Sequence, residues 1–403
     1  MKYVRWDIPD KGPEIPPELL RAGCTPLLAA LLAGRGMSAP GEAARFLNAG
    51  EEELCDPMLL PDMPQAAARL RLAIGRGERV AVFGDYDVDG ITSACMMTLY
   101  LRSKGLKCEP YIPDRLEEGY GLNMAAIDTL AAHGAQLIVT VDCGITAREE
   151  ARHAKELGID MIITDHHECG SGSLPEAVAV VDPKRPDSAY PNPGLAGVGV
   201  AFKLLCAVEG AAGKVLDEYA DLIAAGTVAD VMPLTGENRY IVRRGLKMLE
   251  NPARAGIRAL LNECGASGRR LNAATIGFTL APRLNAAGRL GRTDSAVRLL
   301  LTSDEEDASN CAAELCQLNR HRQELEQEIW EEAHEMLRRS PPSGPIVLAS
   351  ERWHQGVIGI AASRLAEEFA LPTVMICLNG EQGKGSCRSY GGFNLFDALS
   401  ACS

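Results

Sequence analysis

The chain has 403 residues, with 41 Lys+Arg against 54 Asp+Glu and a formal net charge of -13. That length calls for two or three domains, and 46% hydrophobic with 24% charged residues excludes a disordered or collagen-like chain. The acidity argues against a sequence-blind polyanion binder of the histone kind, but an acidic metal site and a basic patch can share one surface, so a nucleic-acid enzyme stays open.

Residues 1–70 are rich in Pro and Ala, with helical patterns over 17–32 and 43–47, and carry no recognisable chemistry. They read as a helical leader packed on the main domain. A different pattern begins near residue 78. The run Arg79-Val80-Ala81-Val82-Phe83-Gly84 is a short apolar strand, followed by a helix over 92–104. Further strands are expected at 136–141, 161–164 and 178–181, with a helix at 147–157 between the first two. Continuous apolar runs alternating with helices indicate a parallel sheet covered on both faces, an α/β fold.

A helical stretch follows over roughly 200–340, ending in a charged segment from about 304 to 339 that suits a helix connecting two domains. Ser340-Pro341-Pro342-Ser343-Gly344-Pro345 is the clearest linker, and a smaller α/β unit starts after it at Ile346. The division expected is therefore a leader at 1–70, a main domain at 71–305, a connecting helix and linker at 306–340 and a partial second domain at 341–403. Thirteen dispersed Cys without a CxxC pair or a secretory h-region read as reduced thiols, so a soluble cytoplasmic protein is expected.

The most informative feature is the position of the carboxylates. The first strand runs into Asp85-Tyr86-Asp87-Val88-Asp89-Gly90, the second into Asp142, the third into Asp165-His166-His167 and the fourth into Asp182. In an open parallel sheet these C-terminal strand ends line one crevice. So many carboxylates repel one another unless cations neutralise them, and two divalent ions would do so while activating a water between them. A lone Asp after a buried strand is ordinarily a turn former or helix cap, which is the reading for Asp182. A calcium loop fails, because its twelfth position is Met96 and the string follows a strand.

Together with Gly226-Thr227-Val228-Ala229-Asp230, these strings occur in the order of the four motifs of the DHH phosphoesterase superfamily, which the chain resembles. Ile112-Pro113-Asp114-Arg115, Glu118-Gly119-Tyr120-Gly121, Val231-Met232-Pro233-Leu234 and the 282–290 segment are similar to its bacterial 5′→3′ single-strand-specific DNA exonucleases. Trp353-His354-Gln355-Gly356 and Gly385-Ser386-Cys387-Arg388-Ser389 resemble their DHHA1 domain. The likeness covers about residues 70–403.

The resemblance implies a DHH domain joined by a long helix to a DHHA1 domain, and a two-metal phosphodiesterase that degrades single-stranded DNA in repair and recombination. Its metal ligands would be Asp87, Asp89, Asp142, His166 and Asp230, with Asp85 a ligand or near neighbour and Asp142 the bridging carboxylate. Imidazole beside carboxylate favours Mn²⁺ over Mg²⁺. His167 would face the scissile phosphate and Asp165 would orient its neighbours. Arg115, Arg289, Ser386 and Arg388 would bind a 5′ phosphate; His354 would reach the DNA and Tyr120 would stack on a base. Arg283 and Arg292 are left between phosphate binding and structural pairing. Single-strand binding protein and a RecQ-type helicase are the partners implied. One departure stands out: the Gly-Gly-His element and OB-fold domain expected next are absent before Ser403, since Gly391-Gly392 is followed by Phe393. Weaker, less processive DNA binding follows from that. Alternatives in the superfamily are an oligoribonucleotide or cyclic-dinucleotide phosphodiesterase, a manganese pyrophosphatase, or a replication scaffold without catalysis.

Overall fold

The computed structural model describes residues 12, 14–116, 118–119, 121–170 and 172–402. Three short leader helices, α1 (Pro17–Arg21), α2 (Pro26–Ala33) and α3 (Pro40–Asn48), come first. They share a small core of Leu19, Ala29, Leu32 and Ala43. The helical pattern over 17–32 is thus two helices, interrupted where Gly23 takes a left-handed φ of 90°.

The main domain begins with α4 (Met63–Arg76), β1 (Val80–Gly84), α5 (Val88–Ser103), β2 (Cys108–Tyr111), α6 (Met124–Ala132) and β3 (Leu137–Val141). It continues through α7 (Arg148–Glu156), β4 (Asp160–Thr164), β5 (Ala179–Val181), α8 (Gly197–Glu209) and α9 (Ala212–Ala229). The expected boundary at 70 falls inside α4, whose Met63, Ala66, Ala67 and Leu70 are fully buried in the main core. The five strands are all parallel in the order β2-β1-β3-β4-β5. Successive residues serve opposite faces, as a pleated strand requires. Val80 and Val82 join one apolar core, while Ala81 and Phe83 join the other. Strand β2 is absent from the sequence expectation because Cys-Glu-Pro-Tyr has no apolar run; it is an edge strand, where Pro is tolerated. Because β1 is flanked by β2 and β3, the strand order reverses beside β1, which opens a crevice at the strand ends.

Helices α10 (Gly236–Glu250), α11 (Ala255–Glu263) and the one-turn α12 (Ala273–Thr275) follow, then a five-residue π-helical segment, Ile276–Leu280. The chain continues into α13 (Ala281–Arg289), α14 (Thr293–Leu301) and the 35-residue α15 (Glu305–Arg339). At 1.5 Å per residue α15 is about 52 Å long. Its first half buries Ala308, Cys311, Ala312 and Leu315 in the main core, and its second half buries Ile329, Ala333 and Leu337 in a separate one. That second core belongs to β6 (Ile346–Ser350), α16 (Ile358–Phe369), β7 (Thr373–Asn379) and β8 (Gln382–Arg388). Its three-stranded sheet pairs β6 parallel and β8 antiparallel to β7, and α17 (Leu395–Ser400) follows.

Candidate active site

The acidic strand ends meet in the crevice. Asp85 follows β1 directly, and Asp87 caps α5, its Oδ1 accepting from the Gly90 N–H at 3.0 Å. That capping begins α5 at Val88, four residues ahead of the predicted start. A Cβ on Gly90 would stand 2.4 Å from the Asp85 carbonyl oxygen, so only glycine allows the helix to turn this tightly. Asp89, inside the first turn, is buried and reaches across the fold. Its Oδ2 accepts from the Gly197 N–H at 2.6 Å and its Oδ1 from the Val198 N–H at 2.9 Å, so it closes the N-terminus of α8.

Asp142 follows β3 in a left-handed conformation, φ 62°, which is uncommon for a residue with a Cβ. Its carboxylate lies where a Cβ on Gly197 would be 2.5 Å away, and a Cβ on Gly226 would stand 2.7 Å from Asp89 Oδ1. Two glycines on different helices thus let α8 and α9 close around the carboxylates. Asp230 follows the end of α9.

Three sets of ligand atoms each lie within 4.8 Å of one another: Asp85, Asp87 and Asp142; Asp89, His166 and Asp230; and Asp142, His166 and His167. Asp85 Oδ1, Asp142 Oδ1 and Asp230 Oδ2 are buried and meet no hydrogen-bond donor among the described residues. His166 Nε2 stands 3.1 Å from Asp142 Oδ1 and 3.6 Å from Asp230 Oδ2 without hydrogen-bond alignment to either. Carboxylate oxygens and an imidazole nitrogen that converge without hydrogen-bond partners fit shared cations.

The electrostatics agree. Burial, then the charge of Asp87, pushes the Asp85 carboxyl up to about 7, and the same two causes take Asp230 up to about 6. Asp89 and Asp142 are raised well above the usual range, by burial first and by neighbouring carboxylates next. His166 is held down to about 4 by burial and by the adjacent His167, so its imidazole is neutral and can ligate.

Asp165 behaves in the opposite way. Its Oδ1 accepts from the His166 N–H at 2.7 Å and faces His167 Nδ1 at 2.7 Å, and its Oδ2 accepts from the Ile145 N–H at 2.9 Å. Against the opposing effect of burial, the His167 contact and these backbone donors lower its pKa. The same contact raises the pKa of His167, which lines the crevice with Asp85 and Asp87. Asp182 is wholly buried at the end of β5 and is pushed up to about 7 by burial; one oxygen accepts from the Lys184 N–H at 2.7 Å, as a turn former does.

A cavity of about 360 Å³ lies over the carboxylates, lined by Asp85, Tyr86, Asp87, Arg115, His167, Asn285 and Arg289 among others. A second cavity, about 150 Å³, is lined by Arg115, Gln355, Gly359, Lys384 and Ser386. Arg115 belongs to both, its guanidinium lying over the Tyr86 ring at 4.8 Å. Arg289 donates to the Gly356 carbonyl at 3.2 Å, and burial beside Arg115, Arg322 and Arg388 lowers its pKa to about 10. Arg388 donates from Nε to Ser363 Oγ at 2.6 Å, and a Cβ on Gly359 would come 3.2 Å from its guanidinium and 2.9 Å from Ser386 Oγ. Sequence patterning missed Asn285, whose Oδ1 accepts from the Val88 N–H at 3.2 Å, and the basic Lys384.

The remaining candidates lie elsewhere. His354 accepts the Gly356 N–H on Nδ1 at 3.1 Å and lines a different cavity, with Trp353 and the glutamates of α15. Arg292 is paired with Glu314 at 2.5 Å, and Arg283 donates to the Thr279 carbonyl at 2.5 Å, so both are engaged structurally. Tyr120 lies outside the described residues. No described helix is long and apolar enough to cross a membrane.

A parallel sheet whose strand ends gather carboxylates and two adjacent histidines defines the DHH class. The family model "DHH family, N-terminal domain" matches residues 79–227. The single-stranded-DNA-specific exonuclease RecJ of Bacillus subtilis is 43% identical over 99% of this chain and 51% of its own length. RecJ of Salmonella typhimurium is 40% identical over 97% of this chain and 69% of its own. The crystal structure of Thermus thermophilus RecJ in complex with Mn²⁺ superposes with a TM-score of 0.81 at 35% identity, over 96% of this chain and 55% of that one. The chain belongs to the RecJ family, and it spans about half the length of the Bacillus and Thermus relatives.

Proposed function

We propose that this chain is the catalytic core of a metal-dependent exonuclease that takes single-stranded DNA by its 5′ end and releases mononucleotides, in repair and recombination. The observation that carries the reading is the pair of cavities joined at Arg115: one over the carboxylates, one small and lined by Arg115, Lys384 and Ser386. A terminal phosphate in the small cavity and a phosphodiester over the carboxylates would share Arg115, and arginine forks with a hydroxyl suit a phosphate dianion. The domain division supporting it is a DHH unit and a DHHA1 unit either side of α15.

Asp85, Asp87, Asp89, Asp142, His166 and Asp230 would hold two divalent ions, Mn²⁺ in preference to Mg²⁺ because of the imidazole. Such ions supply charge neutralisation at the phosphoryl oxygens and lower the pKa of an attacking water. Asp165, beside His167 Nδ1, raises the pKa of the imidazole and so favours its protonated form, from which the ring can donate to a phosphate oxygen or to the leaving 3′ oxygen. Arg115, Arg289, Ser386 and Arg388 bind and orient the 5′ end. His354 acts on the strand from the second domain and Tyr120 stacks on a base. A strand presented in this form brings single-strand binding protein and a RecQ-type helicase as partners, in the cytoplasm.

One oligonucleotide labelled at either end, with and without a 5′ phosphate, tests the reading in Mn²⁺. Mononucleotides released first from the 5′ end, faster with the phosphate, are expected. Release from the 3′ end, or attack on dinucleotides alone, refutes it. Asp142→Ala should abolish the reaction.

A further inference from the structure

A buried polar network joins α8 and α10. Lys203 of α8 and Glu237 of α10 form an ion pair at 2.6 Å with side-chain exposures of 1% and 0%. Such a pair is costly to desolvate and persists only when its other hydrogen-bonding atoms are satisfied. Here they are. Lys203 also donates to the Cys55 carbonyl at 2.8 Å, and Glu237 accepts from Tyr190 Oη at 2.9 Å, Asn192 Nδ2 at 3.1 Å and the Cys55 N–H at 3.2 Å.

The neighbouring Asn238, itself buried, carries this order to the site. Its Nδ2 donates to the Gly194 carbonyl at 2.6 Å and to the Pro233 carbonyl at 3.1 Å. Gly194 lies three residues before Gly197, whose N–H holds Asp89. Pro233 lies three residues after Asp230, across a turn in which Val231 adopts φ 59°. A β-branched residue in that region is strained and stays there only when the surroundings hold it. One amide group therefore ties together the two backbone segments that place Asp89 and Asp230. Among the described residues no comparable hydrogen bond links it to Asp85 or Asp87, which stand at the junction of β1 and α5.

We infer that Asn238, braced by the Lys203–Glu237 pair, is a positioning residue for one metal subsite, that of Asp89, His166 and Asp230, and not for the Asp85 and Asp87 side of the cluster, Asp142 lying between the two. This rests on the two-metal reading above. The partners that orient metal ligands change affinity by roughly 10–100-fold when removed.

Mn²⁺ titration of the full chain, by calorimetry or by electron paramagnetic resonance of the free ion, tests it without reference to activity. Wild type should take two ions. Asn238→Ala should weaken one of them by roughly 10–100-fold and leave the other at its wild-type affinity. Arg243→Ala, exposed on the same helix, should change neither. Both ions bound normally, or both weakened alike, overturns the inference. Fewer than two ions on wild type overturns the metal reading instead. If Asn238→Ala does not fold, Asn192→Ala answers the question, since Asn192 Oδ1 accepts the Gly194 N–H at 3.1 Å and restrains the same loop. Unaltered binding of both ions to that variant again refutes the idea.

Discussion

Replacing Asp85 by Asn should stabilise the metal-free protein while weakening its hold on Mn²⁺. The Asp85 carboxyl is pushed from 3.8 to about 7 by burial and then by the charge of Asp87. Its folded state therefore keeps a proton that the unfolded chain releases, and the stability this contributes is complete below pH 3.8 and lost as pH rises to about 7. At about 1.4 kcal/mol per unit, ionising the side chain in the folded protein costs on the order of 4 kcal/mol. His166 acts in the opposite sense, because its folded value of about 4 lies below its ordinary 6.5, so it adds stability as pH climbs between those two values. Above pH 6.5 that contribution is complete and only falling contributions remain, from the carboxylates and from His167, whose raised pKa acts in the same sense.

Metal-free wild type should accordingly melt at a lower temperature at pH 8 than at pH 6.5, and saturating Mn²⁺ should remove the decline. Metal-free Asp85→Asn should melt higher than metal-free wild type at pH 8, by on the order of 5 °C for a cooperative unit of about 300 residues. The difference should vanish near pH 4, where both side chains are neutral. Differential scanning calorimetry with chelator, at pH 4, 6.5 and 8, measures all of this. A variant that melts below wild type at pH 8, or a difference independent of pH, refutes the reasoning.

Three further outcomes are expected. Asp165→Asn removes the carboxylate beside His167 Nδ1, so single-turnover cleavage should slow by about 10²-fold. The pKa of His167, raised first by that contact, should fall, moving the limb of the pH–rate profile that needs its proton to lower pH. Arg388→Ala should reduce the preference for a 5′-phosphorylated over a 5′-hydroxyl strand by roughly tenfold or more, the equivalent of one charged hydrogen bond, measured as kcat/KM on paired oligonucleotides. Gly288→Ala should cost about 1–3 kcal/mol and disturb Mn²⁺ binding, because its Cβ would stand 2.1 Å from the Tyr86 carbonyl oxygen in the metal loop. Gly277→Ala, whose Cβ would meet Val228 at 3.8 Å, should be nearly neutral in the same thermal and titration assays.

Local patterns made much of this protein legible. The strands β1, β3, β4 and β5 are apolar runs long enough to read without a partner, and each runs into an Asp, those after β1, β3 and β4 standing at the crevice and Asp182 after β5 forming a turn. Their alternation with helices gave the parallel sheet, and a parallel sheet puts all those ends on one side. The long charged stretch after residue 304 read as a connecting helix because its apolar positions are sparse, and α15 does pass between two cores. Strand β2 escaped because its pairing with β1, not its own composition, makes it a strand.

What composition and spacing could not disclose is how closely distant segments approach. Asp89 reads as a ligand from its motif, yet its hydrogen bonds to Gly197 and Val198 join positions 108 and 109 residues apart. The glycines at 197 and 226 look like ordinary helix residues until the carboxylates behind them are located. Arg115 reads as one basic residue in a motif, whereas its place between two cavities depends on the second domain lying against the first. Residue type and strand order along the chain determined which groups can bind metal and on which side of the sheet they stand. The tertiary packing alone decided which carboxylates lie together and how far their pKa values rise, because burial and mutual repulsion act through space and have no period in the sequence.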